Sequence, residues 1–154
     1  MSTITVLDLT TGVPRSPYDQ IEGFAWLPRM IDKVRALNAG KIGDYTPFPC
    51  GGDKRFLSEA GVEADAFKAH VDAGKSDAEI GAWFKSQVAP EAAEKLAAHR
   101  QGMISEPTTG DEMVAYLEGY KAEIAKAKPD ADLSKADNFA KAICVEEGHP
   151  IPTA

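Results

Sequence analysis

The sequence predicts an all-α fold: a compact bundle of six to seven helices preceded by an extended N-terminal arm. Three observations lead there. Apolar residues recur at three- and four-residue steps over most of the chain, the spacing that lines one face of a helix. Helix starts such as Ser76-Asp-Ala-Glu79, and glycine stops at 40, 61, 74 and 148, follow one another at helix-length intervals. Only ITVLDL, Ile4 to Leu9, has the β-branched character of a strand, and no second strand is at hand to pair with it.

Taken in order, ITVLDL is an arm laid on the body, and Pro14-Arg-Ser-Pro17 is a loop, because each proline pushes its predecessor out of helical space. Ile21, Phe24, Leu27, Ile31, Val34 and Leu37 make one apolar stripe. Pro28 inside it stands either at a helix start or at a kink. Asp53 is expected to cap a short helix carrying Phe56 and Leu57. A helix over 63–73 bears Phe67, His70 and Val71, and the Ser76/Glu79 capping box opens one with Ile80, Trp83, Phe84 and Val88. Pro90 suits the first turn of the next, running to about Met103. Thr109-Gly-Asp-Glu112 reads as a second capping box, before Met113, Tyr116, Leu117, Tyr120 and Ile124. A last helix is expected from Ser134 through Phe139, Ile143 and Cys144. The whole chain, 1–154, is expected to form one domain.

Composition narrows the function classes. With 44% hydrophobic and 27% charged residues the chain reads as an ordinary globular protein. No apolar run has membrane-spanning length, and the first residues lack the basic and apolar regions of a signal peptide, so cytoplasmic residence without a membrane partner is expected. A net charge of −7 argues against nucleic acid as a partner. Cys50 and Cys144 are too few for a disulfide framework or a structural zinc site, and the histidines show no ligand spacing, so no metal or other cofactor is expected. Asp130-Ala-Asp132-Leu-Ser134 begins like a calcium loop but has lysines, Lys135 and Lys141, where glycine and glutamate are needed.

The charge is uneven. Residues 1–60 hold seven basic and seven acidic side chains, so the acidity lies wholly in residues 61–154. Four of the five arginines, Arg15, Arg29, Arg35 and Arg55, fall in the neutral part. Arginine matches carboxylate and phosphate with two parallel hydrogen bonds, which lysine cannot do.

LDLT (Leu7–Thr10), PRSP (Pro14–Pro17), LPRMIDKVRA (Leu27–Ala36), DKRFL (Asp53–Leu57) and Gly74-Lys-Ser-Asp77 leading to Trp83 together resemble a widespread bacterial family of small soluble proteins classed as a domain of unknown function. The resemblance covers residues 7–90, leaving helices over 91–147 outside it. It implies a small, mostly helical protein and brings no reaction, cofactor or catalytic residue.

Function is therefore argued from side chains. On the first helix Asp32 stands three residues from both Arg29 and Arg35, and Arg29 four from Lys33, so the charges can meet along its surface. They form either a solvated face or a clamp for an anion. With Arg15 and Arg55 they are the candidate substrate-binding residues. Cys50 precedes Gly51-Gly52 and a helix start with cations behind it, a setting that activates a thiol. His70 is a candidate general base and Tyr45 a second proton carrier. The first expectation is a metal-independent enzyme acting on a small anionic metabolite, with Arg15, Arg29, Asp32, Lys33, Arg35 and Arg55 binding and His70, Tyr45 or Cys50 reacting. The second is a non-enzymatic adaptor domain that docks a protein. In either case the protein is expected to form a homo-oligomer.

Overall fold

The computed structural model describes residues 4–153. Their helices are α1 (Leu27–Asn38), α2 (Gly51–Ala60), α3 (Ala64–Asp72), α4 (Asp77–Gln87), α5 (Pro90–Ser105), α6 (Asp111–Ala127) and α7 (Phe139–Glu147). The fold is mostly helical, and residues 4–8 form an extended arm outside any strand. One small hairpin precedes α1, pairing β1 (Gln20–Ile21) with β2 (Phe24–Ala25) antiparallel. Its two-residue strands are too short to show alternation in the sequence. Glu22 and Gly23, both at positive φ (54° and 80°), make the tight turn that suits such a hairpin.

The chain divides into two compact units, one up to His99 and one from Arg100. In the first, α1 packs on α3, α4 and the hairpin. Leu27, Met30, Ile31 and Val34 enter a core with Phe24, Phe48, Phe56, Phe67, Ile80, Phe84 and Leu96. Phe84 is its hub: the rings of Phe24, Phe56 and Phe67 lie 5.1, 5.7 and 6.3 Å from it, edge-on or stacked. In the second unit α6 packs on α7 around Leu117, Ile124, Ala136 and Ala142. Asn138 fastens it, accepting from Lys141 N at 2.9 Å as the α7 cap and donating to the carbonyls of Met103 and Glu106.

Pro28 is the second residue of α1, within the first turn, where an N–H has no helical acceptor in any case. The Ser76 capping box is present, with Glu79 N donating to Ser76 Oγ at 3.2 Å and Ser76 N to Glu79 Oε1 at 3.0 Å. Three local expectations are corrected. Asp53 sits three residues into α2, and Cys50 is the cap residue, its N–H donating to the Asp53 carboxylate. Before α6, Gly110 (φ 87°) is the cap residue with no side-chain bond, so Thr109 does not complete a box. Ser134 closes a turn on Asp132 and α7 begins only at Phe139, because Asn138 offers the better-placed cap.

Candidate functional site

α1 is apolar on one face and charged on the others, yet Arg29, Asp32, Lys33 and Arg35 are all buried. Burying a charge is costly unless it is paired and hydrogen-bonded, and these side chains reach three parts of the first unit: Arg29 and Asp32 the loop at Arg15, Lys33 the start of α2, and Arg35 the start of α4. Asp32 receives Arg15 from the PRSP loop three times: from its backbone N at 2.8 Å, Nε at 3.0 Å and Nη2 at 3.0 Å. Arg15 Nη1 continues to Asp77 Oδ2 at the start of α4, 2.8 Å away. Arg35 donates to the other oxygen of Asp77 at 2.8 Å and to the Lys75 carbonyl at 3.0 Å. Two cations and two carboxylates thus form one seam joining loop, α1 and α4. Burial alone would lower the Arg15 pKa, but the Asp32 and Asp77 carboxylates outweigh it and hold it above the usual arginine value. Burial would raise the Asp77 carboxyl; Arg15 and Arg35 overcome this and hold it below the ordinary range.

A second knot lies at the start of α2. Asp53 accepts from Lys33 Nζ at 2.8 Å, from Trp26 Nε1 at 2.8 Å and from Cys50 N at 3.0 Å. Trp26, the residue before α1, adopts φ 77°, a left-handed conformation that costs a bulky residue about 1–2 kcal/mol. Its ring lies over Gly52, where a Cβ would come within 2.8 Å of Trp26 Cζ2, and the Arg29 guanidinium stands 5.7 Å from its centroid. Arg29 Nη1 also donates to the Arg15 carbonyl at 3.2 Å.

The structure therefore gathers Arg15, Arg29, Asp32 and Arg35 in one place and Lys33 with Cys50 around Asp53. Arg55 lies apart: its side chain is 78% exposed and faces Glu59 at 3.6 Å. Tyr45 is half-buried in the turn after α1. His70, in the last turn of α3, stacks on the Trp83 ring with centroids 3.9 Å apart. Trp26, Asp53 and Asp77 were not singled out from the sequence as site residues. Asp53 and Asp77 stand in helix starts, where an acidic residue is explained by the cap and dipole alone. Among the described residues, no three His, Cys, Asp or Glu side chains come together as metal ligands. Nor is any helix among them long and apolar enough to cross a membrane.

The stretches that meet in these two knots are PRSP, LPRMIDKVRA, DKRFL and the segment ending at Asp77. The model of the family described as Domain of unknown function (DUF5069) matches residues 11–149. The chain belongs to that family. Comparison with curated proteins finds no match. The DUF5069 region contains both knots and extends through α6 and into the residues after α7, well past the part that resembles the family by its motifs.

Proposed function

We propose that this chain is a non-enzymatic protein-binding domain whose buried charges hold the fold and whose α6 surface meets the partner. The observation that carries the reading is the apolar run Met113-Val-Ala-Tyr116, which stands on the surface, with Met113 47% and Tyr116 69% exposed. Contiguous apolar patches exposed on a soluble protein often mark a binding surface. The guanidinium groups of Arg15 and Arg35 support the same reading: they are turned onto Asp32 and Asp77, where a bound metabolite would have to displace a carboxylate. The protein in this reading is cytoplasmic and works without a cofactor.

The test pairs two measurements. A thermal-shift panel of phosphate, sulfate and small dicarboxylates is expected to give no saturable stabilisation. A photo-crosslinking residue at position 116 in cells is expected to yield a discrete protein adduct that the same residue at 126, farther along α6, does not. Saturable anion stabilisation together with no adduct at 116 overturns the proposal.

A second reading, the metal-independent enzyme on a small anionic metabolite, is favoured by one observation. Backbone strain tends to collect at functional sites, and left-handed Trp26 sits beside Asp53, Lys33 and the half-buried Cys50. In that reading Cys50 is the nucleophile, and a Cys50→Ser variant keeps its fold while losing selective modification by an anionic alkylating agent such as iodoacetate.

A further inference from the structure

We draw no further inference here: the strongest candidate, the side-chain cluster of Cys50, Lys33 and Trp26 around Asp53 at the start of α2, belongs to the site already described, and no buried polar side-chain atom among the described residues lacks a partner that a ligand would have to supply.

Discussion

Lys33 Nζ lies 2.8 Å from Asp53 Oδ2 with the two side chains 4% and 0% exposed, a lysine–aspartate pair sealed inside the first unit. Two turns of one helix thus carry four charges inward, each tied to a partner distant in sequence: Arg29 to the Arg15 carbonyl fourteen residues away, Asp32 to Arg15 seventeen, Lys33 to Asp53 twenty and Arg35 to Asp77 forty-two. Such pairs contribute little net stability over a well-packed apolar alternative, because removing two charges from water offsets most of their attraction. What they confer is position. Asp53 fixes Lys33, Trp26 and Cys50 at once, and so sets where α2 begins relative to α1.

Breaking that pair from one side should be far worse than removing it from both. Lys33→Met leaves a buried carboxylate and should cost about 3–5 kcal/mol in urea unfolding. Asp53→Asn keeps one acceptor oxygen, which serves the Trp26 position or the Cys50 position but not both, and strands the ammonium. The double variant should be more stable than the sum of the single losses predicts, by about 1–3 kcal/mol. Strict additivity would mean that the two groups do not act as a pair.

The seam through Asp77 gives an acid limb to stability. Its carboxyl is held below the ordinary value of about 4, so the unfolded chain takes up a proton first as pH falls. The stability it contributes is therefore complete above the unfolded value and is lost as pH drops through the folded one. Asp77→Asn should melt lower than the parent at pH 7, and the gap between the two should narrow in circular dichroism as pH falls below about 4. A gap that stays constant with pH would detach the effect from the carboxylate charge.

The helical fold was legible because its signals are local. The Leu27–Val34 stripe, the Ser76 cap and the glycine stops each depend on residues within one or two turns. The charges on α1 were less legible for the opposite reason. Arg29, Asp32 and Arg35 look self-sufficient at three-residue spacing, yet Asp32 and Arg35 turn away from one another, toward Arg15 and Asp77. A sequence shows that a helix carries charges beside its apolar stripe, not that loops from elsewhere cover those charged sides. Motifs that resemble a family did point to the right stretches: PRSP, LPRMIDKVRA, DKRFL and the segment to Asp77 converge in space. The exposed apolar run on α6 was hidden by its periodicity, which reads as core until the structure leaves Met113 and Tyr116 uncovered.

Glycines separate close packing from mere helix propensity. In α4 a Cβ on Gly81 would collide with Ile21 Cγ2 of the hairpin, and one on Gly52 would press on the Trp26 ring. In α6 a Cβ on Gly119 meets open space. Alanine should therefore stabilise at 119 by about 0.5–1 kcal/mol through backbone entropy. At 81 and 52 overpacking should reverse the sign and cost about 1–3 kcal/mol. Thermal melts of the three variants check the order. Stabilisation at 81 would show that the hairpin does not rest against α4 as described.

His99 supplies the sharpest titration. It follows an alanine pair that suggests an exposed helix face, but its ring is half-buried, 5.8 Å from Phe56, with Glu59 3.9 Å from Nδ1. Burial lowers its pKa below the ordinary 6.5; Glu59 pulls upward, Arg55 adds a further downward push, and the balance stays low. Between the folded and unfolded values the unfolded chain holds the extra proton, so stability rises with pH there and is complete above about 6.5. An imidazole proton titration by NMR should place the folded midpoint below 6.5. Glu59→Gln removes the only upward influence and should lower it further, whereas Arg55→Gln should raise it. Opposite signs from two neighbours on one helix are hard to obtain by a general loosening of the fold. A midpoint at or above 6.5, or shifts of the same sign in both variants, would contradict the burial of this ring.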